Sequence, residues 1–190
     1  MERRSDPRLP PGAGKTIPWP DPASGGIYSR ALLLLQDPSE VATAGTGFIS
    51  PDNNDPTAKN VTDALLEAGL RWDLRLQWNV YPWWVNTYKT KSGKDKAREL
   101  RDPTRPRETW TNARKTAAAL WGSFFELLPE LRVIVVFGKE SWKGWEATRR
   151  YLPLPSGVSE LCAPSLSPPG YYSHCDEVAR VLLKAKAVIE

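Results

Sequence analysis

Four short apolar runs, separated by amphipathic stretches, constrain the fold of this chain more than any other feature of its sequence. Each run ends in polar or turn-forming residues, and the runs occupy residues 30–36, 74–80, 132–137 and 158–163. Helical periodicity or start signals mark four other segments: 57–68, 108–128, 140–151 and 174–189. Buried strands that alternate with helices are typical of a mostly parallel sheet covered on both faces. We therefore predict an α/β fold, a three-layer α/β/α sandwich around a central, mainly parallel four-stranded sheet.

The segments outside this pattern suggest how the chain is organised. Residues 1–26 are rich in Pro, Gly and charge without a regular period, which predicts an irregular arm followed by one domain over 27–190. The segment 88–107 carries eight Lys and Arg against three Asp and Glu, a local excess larger than the net charge of +4 of the whole chain. Such a basic loop either neutralises nucleic-acid phosphates or forms a solvated surface loop.

Composition excludes several classes of protein. No apolar run approaches the roughly 18 residues that span a bilayer, and the N-terminus lacks the hydrophobic stretch of a signal peptide, so we expect a soluble, cytoplasmic protein. The two cysteines, Cys162 and Cys175, and the single histidine, His174, are too few for a common zinc or iron–sulfur site. We expect no metal and no other cofactor.

Ligands of open α/β sheets bind beyond the carboxyl ends of the strands, so the residues that follow each run are the candidates for chemistry. Gln36 ends the first run, Asp37 follows it, and Asn79 lies near the end of the second. A carboxylate at this position can position a water molecule, and an amide can both donate and accept hydrogen bonds. The alternative is that the Asp-Pro pair and the Asn form ordinary turns.

The segments LLLLQDPSEVATAGTGFIS, LQWNVYPWW and CAPSLSPPGYY resemble, in this order, motifs of the uracil-DNA glycosylase superfamily. The resemblance implies that Asp37 orients the hydrolytic water and that the backbone N–H groups of Gln36 and Asp37 bind a pyrimidine carbonyl. It also implies that Phe48 stacks on a flipped base and that Asn79 reads the Watson–Crick edge of that base.

The same resemblance implies a set of DNA contacts. The last segment is similar to a loop that enters the minor groove, where Ser165 and Ser167 would contact phosphates and Leu166 would fill the space that the flipped base leaves. Lys59, at the start of the first long helix, would assist phosphate binding. The implied partner is single- or double-stranded DNA that contains uracil or a related damaged base, bound by a monomer.

Three positions depart from the family pattern. Leu35 stands where the family usually has Gly, and Ser39 stands where its uracil-specific branch has Tyr. Ala163 stands where the family has a His that stabilises the departing base. The small side chain of Ser39 weakens the expectation of strict uracil selectivity, and Ala163 points to slow catalysis or to none.

Three functions follow as alternatives. The first is a monofunctional DNA glycosylase that hydrolyses the N-glycosidic bond of uracil or a related damaged base and acts in base excision repair. The second is a nucleic-acid-binding homologue that recognises the base without excising it. The third is an enzyme of free nucleosides or of another small N-glycoside.

Overall fold

The computed structural model describes residues 17–83, 87–89, 95–97, 121, 123–150, 152 and 154–190. The predicted basic loop 88–107 lies outside the described residues except for two short backbone segments. Of the predicted helix 108–128, residues 121 and 123–126 are described as helical, residues 127 and 128 follow its end, and the others lie outside the described residues.

The described strands form one central sheet and two small ribbons. In chain order they are β1 (Trp19–Pro20), β2 (Ala31–Leu35), β3 (Phe48–Ile49), β4 (Arg75–Asn79), β5 (Thr87–Lys89), β6 (Asp95–Ala97), β7 (Val133–Phe137) and β8 (Ser159–Ala163). The central sheet has the order β4-β2-β7-β8, and every neighbouring pair in it is parallel. The pairs β1–β3 and β5–β6 form the two ribbons, the first parallel and the second antiparallel.

Three long helices are described: α1 (Pro56–Ala68), α2 (Lys139–Arg149) and α3 (Gly170–Ile189). A π-helical turn, Val41–Thr46, precedes β3. The start of α1 follows from its sequence, because the Asp55 carboxylate accepts a hydrogen bond from the Ala58 backbone N–H at 2.9 Å and Pro56 occupies the first turn. Helix α1 ends at Gly69, whose φ of +61° is strained for other residues.

Two hydrophobic clusters lie on opposite faces of the sheet. On one face Leu33 and Val135 pack with side chains of α1 and α3, among them Val61 and Leu182. The other face carries an aromatic cluster that joins sheet residues to α2 and to the helical residues near 121, and includes Leu32, Leu34, Ile134, Trp121 and Trp145. Helices therefore cover both faces, and the predicted three-layer α/β/α sandwich with a parallel four-stranded sheet is confirmed.

The observed boundaries differ from the predicted ones in small ways. Each central strand lies within its predicted run, and α1 and α2 each begin one residue earlier than predicted. Helix α3 begins at Gly170, four residues before the predicted start. The backbone of His174 is non-helical, and this kink coincides with the predicted start.

Residues 17–26, which the sequence assigns to the arm, pack against the edge of the domain. β1 pairs with β3, and the Gly25 N–H donates to the carbonyl of Arg75 at 3.0 Å. Asp21 is buried and accepts a hydrogen bond from the hydroxyl of Ser50. This segment thus covers part of the edge strand β4. Within the described residues, no helix has both the length and the apolar character needed to cross a bilayer.

Candidate functional site

A cavity of about 190 Å³ opens at the carboxyl ends of β2 and β4. The turn after β2 forms one wall, and the loop between β3 and α1 forms another. The side chains of β4 and of the loop before α3 complete it. The lining residues include Gln36, Asp37, Ser39, Ser50, Asn53, Asp55, Thr57, Gln77, Asn79 and Ser167. These polar side chains offer hydrogen-bond donors and acceptors to a small ligand.

The turn that carries Asp37 is held by its neighbours. The β2–β4 ladder continues past the strand ends, because the Leu35 carbonyl accepts from Val80 N–H at 2.8 Å and the Gln36 carbonyl accepts from Tyr81 N–H at 2.9 Å. The Gln36 side chain donates from Nε2 to Oδ1 of Asp37 at 3.1 Å. The Asp37 carboxylate is therefore oriented at the cavity wall by the residue before it.

Asn79 lies at the end of β4 with only 2% of its surface exposed, and it lines the same cavity as Asp37. Its buried Nδ2 has no hydrogen-bond partner among the described residues. The buried Oε1 of Gln77, two residues earlier on the strand, also lacks one there. Buried polar groups are almost always hydrogen-bonded, so an unpaired amide in a cavity wall indicates a place for a ligand.

A second carboxylate, Asp55, lines the cavity opposite the strand ends. Its Oδ2 accepts a hydrogen bond from the hydroxyl of Ser39 at 3.1 Å, while its Oδ1 caps α1. The sequence Asp55-Pro56-Thr57 is typical of a helix start, and it does not indicate that Asp55 belongs to the site. The Asp-Pro-Thr motif predicts the cap, but only the packing of α1 against the β2 turn brings this carboxylate to Ser39.

The loop before α3 forms one wall of the cavity through Ser167. The Thr57 hydroxyl donates to the Ser167 hydroxyl at 3.3 Å, and Nδ2 of the buried Asn60 donates to the carbonyl of Leu166 at 2.8 Å. Leu166 is only 3% exposed and packs in the cluster beneath α1 and α3. In this conformation it is a core side chain, so it does not project from the surface as the predicted wedge would.

Phe48 lies near the cavity but is not among the described residues that line it. Its side chain is on the ribbon β1–β3, it is 39% exposed, and its carbonyl accepts from Nδ2 of the lining residue Asn53 at 2.9 Å. The in-register neighbour of Phe48 is Trp19, which is also exposed. The structure thus brings Asp37 and Asn79 together and leaves the predicted stacking ring beside their cavity.

The other predicted DNA contacts occupy two different surfaces. Lys59 lies on the outer face of α1, where its Nζ is 2.7 Å from Oδ2 of Asp63, and this carboxylate raises the pKa of Lys59 above its usual value. Ser165 lines a second cavity of about 200 Å³ that meets the first at Gln36. Gly138 borders this second cavity with a φ of +90°, and a side chain there would lie 3.3 Å from Cβ of Ser165.

Ala163, at the position where the resembled family has a histidine, is not among the residues that line the cavity. Ala163 is buried at the end of β8, pairs with Phe137 and packs in the core. His174 is exposed, with Nδ1 3.8 Å from Oε2 of Glu177. In the described part of the chain, no three His, Cys, Asp or Glu side chains are grouped as ligands of a metal ion would be.

No family model and no curated protein matches this chain. A structure solved by solution NMR, that of a "putative uracil DNA glycosylase" from Methanosarcina acetivorans, is similar to it in fold. The TM-score is 0.50 at 15% sequence identity, and the match covers 88% of this chain and 98% of that chain. At this identity the likeness establishes the shared architecture alone.

Proposed function

We propose that the chain is a DNA glycosylase that hydrolyses the N-glycosidic bond of uracil or a related damaged base. The observation that carries the proposal is the meeting of the Asp37 carboxylate and the unpaired amide of Asn79 in one cavity at the carboxyl ends of β2 and β4. The cavity is below the range of roughly 300–1,000 Å³ typical of drug-sized ligands, and it suits one small heterocycle. The fold of the Methanosarcina acetivorans protein supports the same assignment.

The base would enter with its hydrogen-bonding edge toward β4. Nδ2 of Asn79 would donate to a carbonyl oxygen of the base, which would give this buried donor a partner. A duplex hides that edge in base pairing, so the nucleotide must be flipped out or lie in a single strand.

Asp37 would act on the sugar. As the bond between base and sugar lengthens, positive charge develops on the sugar ring, and a fixed carboxylate stabilises that charge. The same carboxylate would orient a water molecule toward the anomeric carbon and accept its proton. The hydrogen bond from Gln36 would hold the carboxylate in place, so Gln36 is a positioning residue in this mechanism.

The DNA strand would run over the start of α1 and the loop before α3. Thr57 and Ser167 lie within hydrogen-bonding distance of each other there, at the mouth of the cavity, and hydroxyls at a helix N-terminus bind phosphates well. Lys59 lies two residues after Thr57 and is exposed. These contacts would position the strand without reading its sequence.

The position of Ala163 favours a second candidate function, a protein that binds the base without excising it. Ala163 is a buried core residue, and no described histidine lines the cavity to stabilise the departing base anion. In this alternative Asn79 still binds the base, and Asp37 contributes little to the binding.

Excision assays separate the two functions. Purified protein is incubated with oligonucleotides that contain uracil, hypoxanthine, ethenocytosine or mismatched thymine, and abasic sites are then cleaved with alkali. We expect strand scission with at least one base and a loss of at least about a hundredfold in Asp37→Asn, because the amide neither stabilises the cation nor accepts the proton. Scission with none of the four bases would refute the glycosylase.

The matched control is Asp52→Asn. Asp52 is exposed, is not among the residues that line the cavity, and undergoes the same chemical change. Its activity should equal that of the parent. Binding of uracil-containing DNA without turnover, unaffected by Asp37→Asn, would establish the binding protein instead.

A further inference from the structure

Gln77 and Asn79 form a pair of amides on one face of β4. Side chains two residues apart on a strand point the same way, and both line the cavity beside Asp37. The register places Gln77 beside Leu33 and Asn79 beside Leu35 on the neighbouring strand. The intervening residue, Trp78, packs in the cluster on the opposite face.

The unpaired atoms of this pair are complementary in type. Oε1 of Gln77 is an acceptor, and Nδ2 of Asn79 is a donor; both atoms are buried without a partner in the described part of the chain. Leaving such a group unpaired destabilises the protein, and an apolar side chain would fill the space beside Leu33 without that penalty. The pair is therefore explained if a ligand offers a donor and an acceptor next to each other.

This requirement divides nucleobases into two classes. Uracil and hypoxanthine carry a ring N–H beside a carbonyl oxygen, so they can satisfy both amides. In 3,N4-ethenocytosine the etheno bridge occupies the corresponding ring nitrogen, so that edge carries a carbonyl oxygen and the C–H groups of the bridge but no N–H. Such a base would satisfy Asn79 through its carbonyl oxygen and leave the Gln77 acceptor facing C–H groups, without a hydrogen bond.

We propose that Gln77 is a specificity-determining residue that restricts this site to bases with a free ring N–H. The inference rests on the proposed function in one respect, that the cavity receives a nucleobase. Asn79 then contributes affinity for any base with a suitable acceptor, and Gln77 provides the discrimination.

The test is Gln77→Met, a change of similar volume that removes the acceptor. The parent should excise uracil in preference to ethenocytosine by at least about tenfold in kcat/KM, because a buried polar group left unpaired by the wrong substrate rejects it. In Gln77→Met this ratio should fall toward one, since uracil loses a hydrogen bond and ethenocytosine no longer leaves a buried acceptor unpaired. The matched control is Asn79→Leu, which should lower excision of both bases alike.

A stability measurement separates this role from a structural one. Removing an unpaired buried acceptor should leave the Tm of the free protein unchanged or raise it, whereas removal of a structural hydrogen bond would lower it. A lower Tm together with equal losses for both bases would overturn the proposal.

Binding of free bases distinguishes failure of this inference from failure of the proposed function. Isothermal titration with uracil and with 3-methyluracil, in which a methyl group replaces the ring N–H, should show a preference for uracil in the parent that Gln77→Met loses. If no base is excised but this preference is seen, the glycosylase fails and the role of Gln77 stands. If bases are excised with a ratio that Gln77→Met leaves unchanged, the role of Gln77 is refuted. If bases are neither excised nor bound, both the proposed function and the role of Gln77 are refuted.

Discussion

The hydrogen bond between Asn60 and the loop before α3 should control the stability of one wall of the site. Nδ2 of Asn60 donates to the Leu166 carbonyl at 2.8 Å, and Asn60 is 1% exposed. The change Asn60→Ala removes the donor and leaves this carbonyl without its partner from α1. The loop would then lose its tie to α1 next to Ser167, which lines the cavity.

The expected loss of unfolding free energy follows from the burial of this hydrogen bond. A buried acceptor that loses its partner costs about 1–3 kcal/mol of unfolding free energy. For a domain of this size each kcal/mol lowers the Tm by about 2–4 °C, so we expect a decrease of about 2–12 °C. Because the lost hydrogen bond anchors this loop directly, amide hydrogen exchange in residues 164–170 should increase more than in the central strands.

Scanning calorimetry and hydrogen-exchange mass spectrometry measure the two effects. The control is Asn54→Ala, because Asn54 is exposed in the same region and its truncation should change the Tm by less than about 2 °C, as at ordinary surface sites. An Asn60→Ala protein with the Tm of the parent and unchanged exchange in the loop would refute this account of how the wall is held.

Two further predictions concern the cap of α1 and Cys162 on the edge strand β8. Asp55→Ala should lower the unfolding free energy by about 1 kcal/mol, whereas Asp55→Asn should keep the cap, and urea denaturation of both proteins compares them. If Asp55→Asn lowers the unfolding free energy as much as Asp55→Ala does, loss of the cap is not the cause. Desolvation, with repulsion from Glu177 and Glu146, raises the pKa of the Cys162 thiol although the residue is largely exposed. At pH 8.5 Cys162 should therefore react with iodoacetamide more slowly than in the urea-unfolded chain, and Glu177→Gln should speed the reaction; equal rates in all three would contradict this.

The central sheet could be predicted from the sequence because its signals are local. The apolar runs at 30–36 and 132–137 are too short for helices and are bounded by polar residues, and the structure has strands inside both. The ribbon β1–β3 was not predicted, since Trp19–Pro20 and Phe48–Ile49 are too short to show a period and pair only after the chain has folded.

The candidate site was predictable only in part, for the same reason. Asp37 follows the first apolar run and Asn79 lies near the end of the second, so a parallel arrangement of the runs brings them to one edge of the sheet. The position of Phe48 beside the cavity, rather than in its lining, depends on the path of the π-helical turn before it. The burial of Leu166 depends on its packing with side chains of α1 and α3, which are distant from it in the sequence or reach it only in the folded chain.

The sequence by itself determined the layered α/β class, the ends of the strands and the identity of the groups at those ends, because each depends on hydrophobic periodicity and on turn chemistry along the chain. Only the tertiary structure decided which groups face one another: β4 beside β2, Asp55 hydrogen-bonded to Ser39, and Gln77 and Asn79 with buried, unpaired amide atoms in one cavity. Burial and hydrogen bonding between residues distant in sequence arise from packing, and no local pattern specifies them.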